Sequence, residues 1–244
     1  MFPIRDHNPS RRIPYITLAL VVINVGVFLL ITLPISVNDI RLGFFYREWG
    51  VVPAYADPSD YITSLFLHGS FMHLTGNMLF LWVFGDNMED EMGHIPYLLF
   101  YLASGVAATL LHVWTNPNSG VPLVGASGAI AGVMGGYLLL YPRARVDVFF
   151  FIVVRPIPAW IVLVAWFGIQ LWNGASTASE SAGVAYWAHV GGFAVGILGT
   201  LPWWLKEGAS KWWKRTEGHP PHPETHYEIK GISPTNIPRV GRKK

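Results

Sequence analysis

Four polar side chains, each surrounded by apolar sequence, are of the types that hydrolytic chemistry uses: His73, Asn77, Ser127 and His189. His73 and Asn77 are four residues apart, a spacing that stacks them on one face of a helix. Ser127 lies in Gly125-Ala126-Ser127-Gly128 and His189 in Ala188-His189-Val190-Gly191-Gly192. A serine hydroxyl is a weak nucleophile until a neighbouring base takes its proton, and histidine is the usual base. With the two side by side, His189 would accept the Ser127 proton and later return it to a leaving amine. Asn77, His73 and the backbone N–H of Ser127, at a helix N-terminus, would stabilise the oxyanion. The charge-free stretches holding Ser127 and His189 contain no Asp or Glu, so a dyad without a carboxylate partner is expected.

Each signal is weak alone. Gly-x-Ser-Gly is short, and Ala129 departs from the Gly-x-Ser-x-Gly elbow of soluble hydrolases. A membrane serine usually bonds back to its own helix, and an isolated histidine is usually structural. His68, His94 and His112 are read as structural. What sets the other four apart is their placement on the elements that must carry them.

Of the 244 residues, 52% are hydrophobic and only 13% charged, with mean hydropathy +0.36. Soluble domains carry about twice that charge fraction. Charged residues bound five long charge-free runs, 13–38, 61–85, 92–142, 156–179 and 181–205. Each reaches the ~20 residues needed to cross a bilayer, and 92–142 can cross twice. This composition excludes a soluble enzyme, a nucleic-acid-binding domain and a disordered chain as the main body. An all-α, polytopic membrane protein follows. Pro and Gly punctuation places six spans near 14–33 (stopped by Pro34), 71–86, 95–114, 125–141, 158–172 and 186–205. Arg5, Arg11 and Arg12 before the first run imitate a secretion signal, but no A-x-A-like cleavage site follows, so a retained helix is expected.

Orientation follows from the basic residues. Three lie before the first span (Arg5, Arg11, Arg12), three between the fourth and fifth (Arg143, Arg145, Arg155), and nine after the sixth. That puts 15 of the 17 Lys and Arg on one side, leaving Arg41 and Arg47 opposite. Both termini are therefore expected in the cytoplasm. Domain boundaries follow: a cytoplasmic segment 1–13, a six-helix core 14–205, and a basic, disordered cytoplasmic tail 206–244. Trp203, Trp204, Trp212 and Trp213, beside Lys and Arg, read as an interfacial anchor.

In this topology the second, fourth and sixth helices all run from outside to inside. His73, Asn77, Ser127 and His189 then share one layer near the outer face. Gly128, Gly132 and Gly136 on the fourth helix, and Ala188, Gly192 and Gly196 on the sixth, form small-residue ridges that permit close approach. Gly125 precedes the serine. Close approach would bring Ser127 within hydrogen-bond reach of His189.

The segments Leu67-His68-Gly69-Ser70-Phe71-Met72-His73-Leu74-Thr75-Gly76-Asn77, Gly125-Ala126-Ser127-Gly128 and Ala188-His189-Val190-Gly191-Gly192 resemble the rhomboid intramembrane serine proteases, over about 45–205. The resemblance implies a six-helix rhomboid bundle with nucleophile Ser127, base His189, and oxyanion side chains His73 and Asn77. It also implies that Glu89 is a structural carboxylate on the cytoplasmic side, and that neither a metal nor another cofactor is needed. The implied substrates are transmembrane segments of other proteins, cut near their outer ends, and the implied setting is a multi-pass protein of a bacterial inner or plasma membrane. The lipid bilayer is the other partner, and no nucleic acid is expected. Two positions depart from well-known bacterial members: Ala131 replaces an aromatic residue four after the serine, and Gly76 replaces a bulky residue before the oxyanion Asn. His189 must then be steadied by something else. A helix buries its own scissile carbonyls in hydrogen bonds, so substrates must unwind. The polar connection 173–184 is expected to act as a mobile cap.

Two other functions compete: a catalytically weak rhomboid-like protein that binds clients, and a small transporter. A client binder would lose Ser127 or His189, and a transporter would carry charges or paired broken helices within its spans. The sequence has neither His-Glu-x-x-His for zinc nor paired intramembrane aspartates.

Overall fold

Helices form wherever the sequence is apolar and charge-free. The computed structural model describes residues 2–150, 153–176, 185–221 and 223–225. After a strand β1 (Phe2–Asp6), helix α1 (Tyr15–Val27) continues through a π-helical turn at Phe28–Thr32 and a last turn at Leu33–Ile35. It passes through Pro34 rather than stopping before it. Proline removes one i→i−4 hydrogen bond, and the wider π turn just before it takes up the mismatch. Helix α2 (Asp39–Trp49) is capped by the Asn38 side chain, which accepts from the Arg41 N–H. Then come α3 (Phe71–Met92), α4 (His94–Thr115), α5 (Ser127–Leu140), strands β2 (Arg145–Phe150) and β3 (Val153–Pro158), α6 (Ala159–Ala175), α7 (Tyr186–Lys206) and α8 (Ser210–Thr216).

By length and composition Tyr15–Ile35, His94–Thr115 and Tyr186–Lys206 can each cross a membrane, while Ser127–Leu140 and Ala159–Ala175 are shorter and apolar. Val22, Leu30, Leu99, Trp114, Ile169 and Trp172 are exposed on the outer faces. Large apolar side chains exposed around a helical bundle suit lipid rather than water. This is a mostly helical, membrane-embedded protein.

Helix α5 is the centre of the bundle. Every residue from Gly128 to Tyr137 is buried, as expected of a helix apolar on all sides. Helix α7 lies directly on it. A Cβ on Gly192 would collide with the Gly128 carbonyl, and one on Gly196 with the Gly132 carbonyl. Only glycine allows this backbone-on-backbone packing, so the two ridges meet as their spacing predicts.

At the opposite end of α5 the all-helical expectation gains an antiparallel sheet in the order β1-β2-β3. The stretch Arg145-Val146-Asp147-Val148-Phe149-Phe150 is β-branched and aromatic, a strand composition interrupted by the charges that made it read as a loop. Asp147, buried, accepts from Arg5 Nε at 2.6 Å and pairs with His7 Nε2 at 2.9 Å. Tyr137 donates to Asp6 Oδ2 at 2.8 Å, which ties β1 to α5.

Two further differences have the same origin in distant partners. Helix α3 does not end at Asp86 but carries Glu89, Asp90 and Glu91 within its last turns, stopping at Gly93 with φ +82°. Glu89, 1% exposed, accepts from the Ile16 N–H at 2.9 Å and from the Thr17 N–H and hydroxyl at 2.8 Å each, and pairs with His94 Nδ1 at 2.5 Å. A carboxylate there satisfies the orphan amides at the start of α1. Helix α8 lies in the stretch 206–244 that was expected to be disordered. Its Trp212 is buried rather than interfacial, and Trp212 and Trp213 donate to the Leu140 and Leu139 carbonyls at 3.3 and 3.0 Å, closing the C-terminus of α5. Residues 226–244 lie outside the described residues.

Candidate active site

Three helix starts build the site. The Ser70 hydroxyl accepts from the His73 N–H at 3.1 Å and begins α3, so His73 and Asn77 fall in its first two turns. Ser127 is the first residue of α5, reached through Gly125 at φ +127°, a region that favours glycine. His189 lies in the first turn of α7.

The structure brings the sequence-derived residues together. Ser127 Oγ lies 2.7 Å from His189 Nε2. His73 and Asn77 close on the turn before the serine: a Cβ added to Gly125 would sit 2.7 Å from His73 Cε1 and 3.7 Å from Asn77 Nδ2. Gly125 is therefore favoured twice, by its backbone and by the His73 ring beside it. Ser127, His73, Asn77 and His189 line one cavity of about 730 Å³ together with the apolar Met134 and Trp166. Gly128 and Gly132, facing Gly192 and Gly196, hold α5 and α7 at the separation that makes the Ser127–His189 bond possible. Glu89 is remote: it lies twelve residues after Asn77 on α3, about 18 Å along that helix at ~1.5 Å per residue.

Three neighbours were not singled out by the sequence. Gln170 Oε1 lies 2.8 Å from His189 Nδ1. Trp166, one turn before it on α6, places its ring 5.6 Å from the His189 ring at an interplanar angle of 38°. It supplies the aromatic neighbour that Ala131, buried in α5, does not. His68, fully buried and set aside as structural, takes its Nε2 to 2.8 Å from Asn77 Nδ2, and its ring is 5.1 Å from that of His73. For Gln170 the sequence offers only a lone amide directly after the apolar stretch Ala159-Trp160-Ile161-Val162-Leu163-Val164-Ala165-Trp166-Phe167-Gly168-Ile169, which marks a polar group to be accounted for but not its partner. Residues 177–184 of the expected cap lie outside the described residues.

Residues 56–205 match the family model of the Rhomboid domain. The chain is 32% identical over 206 residues to "Rhomboid protein 1, mitochondrial" of Saccharomyces cerevisiae, covering 79% of this chain and 54% of that protein. It is 25% identical over 209 residues to "Rhomboid protease AarA" of Providencia stuartii, covering 75% of this chain and 70% of that one. Against "Presenilin-associated rhomboid-like protein, mitochondrial" of Bos taurus it is 27% identical over 188 residues, 75% of this chain and 45% of the other. The chain belongs to the rhomboid family. It spans about half the length of the mitochondrial relatives it matches.

Proposed function

We propose that the chain is an intramembrane serine protease that hydrolyses peptide bonds within or next to transmembrane segments of other membrane proteins through a Ser127–His189 dyad. The observation that carries this reading is the 2.7 Å contact between Ser127 Oγ and His189 Nε2 in the wall of a cavity. His189 takes the hydroxyl proton as Oγ attacks the scissile carbonyl. The oxyanion that forms is met by Asn77, His73 and the Ser127 backbone N–H, which stands at the positive end of α5. His189 then gives its proton to the leaving amine, leaving an ester on Ser127. A water, deprotonated by the same ring, attacks the ester and regenerates the hydroxyl. Asn77 has two amide hydrogens. His68 takes one, aiming the other at the oxyanion. Burial, and then the nearby His73, pushes the His68 pKa down to about 3, so His68 is the neutral acceptor this requires.

The reading includes a core of six spans over 14–205 with both termini cytoplasmic and the site near the outer face, supported by the distribution of Lys and Arg. The names of the relatives refer to mitochondria and chloroplasts as well as to a bacterial protease, so they do not support a bacterial plasma membrane in particular.

The test is cleavage of a single-span protein by the purified chain. Ser127→Ala and His189→Ala should each abolish turnover, and the double variant should be no slower than either, because the groups act as a unit. Asn77→Ala should lower kcat about 10²–10³-fold while Ser127 still becomes fully labelled by a serine-reactive phosphonate. Binding of the span without cleavage by wild type would leave the client-binding reading in its place.

A further inference from the structure

We infer that Gln170 is a positioning residue that selects the catalytically useful tautomer of His189. The inference rests on the protease reading and deepens it. It starts from a cost: a buried amide at membrane depth is unfavourable unless its donors and acceptor are bonded. Gln170 is 7% exposed, on a helix whose other residues are almost all apolar.

Its two ends cannot be exchanged. Gln170 Nε2 donates to the Trp166 carbonyl at 3.3 Å. A backbone carbonyl only accepts, so the NH₂ group must occupy that side and Oε1 must face His189. Oε1 in turn only accepts. The His189 Nδ1 that lies 2.8 Å from it must therefore carry the ring proton. In a neutral imidazole this leaves the lone pair on Nε2, the nitrogen 2.7 Å from Ser127 Oγ.

A directed chain results: Ser127 O–H to His189 Nε2, His189 Nδ1–H to Gln170 Oε1, and Gln170 N–H to the Trp166 carbonyl. Each donor polarises the next. When the ring takes the serine proton, Nδ1–H is already bonded and need not reorient. Where other serine hydrolases use a carboxylate for this task, the amide does it without placing a charge in the bilayer. Trp166 holds the opposite end of the amide and also packs beside the ring, so α6 orients His189 through two contacts.

The test compares Gln170→Met, which removes the acceptor at similar volume, with Gln170→Glu, which retains an acceptor and adds charge. Gln170→Met should lower kcat roughly 10- to 100-fold with KM unchanged. Gln170→Glu should recover kcat at high pH to within about tenfold of wild type. It should also move the acid limb of the pH–rate profile to higher pH, because a carboxylate favours the imidazolium. A purely packing role would leave that limb in place. Full kcat in Gln170→Met, or an unshifted limb in Gln170→Glu, would overturn the inference. Nitrogen-15 spectra of histidine-labelled protein supply a readout that needs no turnover. Wild type should show the His189 proton on Nδ1, and Gln170→Met should lose that preference. If wild type neither cleaves nor labels at Ser127, the protease reading fails while the spectra still decide this one. A proton on Nε2 in wild type would end it.

Discussion

Gly192 rests on the backbone carbonyl of Gly128, one turn from His189 on α7 and one residue from Ser127 on α5. The Ser127–His189 hydrogen bond is thus set by a contact between two residues that have no side chain. A Cβ at position 192 would force the helices apart by displacing rigid backbone, not a flexible side-chain tip.

Gly192→Ala should therefore lower cleavage about 100-fold, the loss typical of a misplacement on the scale of an ångström. Gly168→Ala, on α6 with nothing within 4 Å of the added methyl, should cleave as wild type and be slightly more stable. The measurement is initial cleavage rate beside thermal unfolding in the same detergent. A fully active, equally stable Gly192→Ala would show that the dyad does not depend on this contact.

These glycines were readable because helix spacing alone places them. Residues four apart share a face whatever the partner, so two ridges in one chain already imply a crossing. The three helix starts that carry His73, Ser127 and His189 were readable for the same local reason. Gln170 was not, because it sits mid-helix without a ridge or cap, and its meaning comes only from a histidine 19 residues later in the chain. Glu89 and its acidic neighbours lie beyond the span expected near 71–86 for a related reason. The amides of Ile16 and Thr17 that accommodate the carboxylate are more than seventy residues away. The sheet was hidden by its own charges: Asp147 looks like a loop residue until Arg5 on β1 and His7 just after it meet its carboxylate.

The strand end of the molecule should respond to pH. Asp6, outside the spanning helices, accepts from the Tyr137 hydroxyl, and burial followed by the charge of Asp86 holds its carboxyl well above the usual range. A carboxyl with a raised pKa binds its proton more tightly when folded than when unfolded. Its destabilising effect is therefore absent below the ordinary carboxylate range and grows as pH rises toward the raised value. Asp6→Asn keeps an acceptor for Tyr137 and removes the ionisation. It should raise Tm at pH 8, by roughly 2–4 °C for each kcal/mol recovered, and the gain should vanish near pH 4. Thermal unfolding across that range is the check. A gain independent of pH would mean that ionisation of Asp6 is not the cost.

Gly76 offers a test of whether the cavity receives a substrate side chain. It lines the cavity immediately before Asn77, and a Cβ built there meets nothing within 4 Å. Glycine inside a helix costs about 0.5–1 kcal/mol relative to alanine, so its presence in α3 is unfavourable unless the open space is used. If a substrate side chain beside the scissile bond occupies that space, adding volume should discriminate among substrates. Gly76→Ala should raise Tm and cleave nearly as wild type. Gly76→Phe should lower kcat/KM roughly tenfold or more for a substrate with Leu beside the scissile bond. A matched substrate with Ala there should lose much less, and the difference should lie in kcat/KM rather than in phosphonate labelling of Ser127. Equal losses on both substrates would show that the space beside Gly76 is not where that side chain goes.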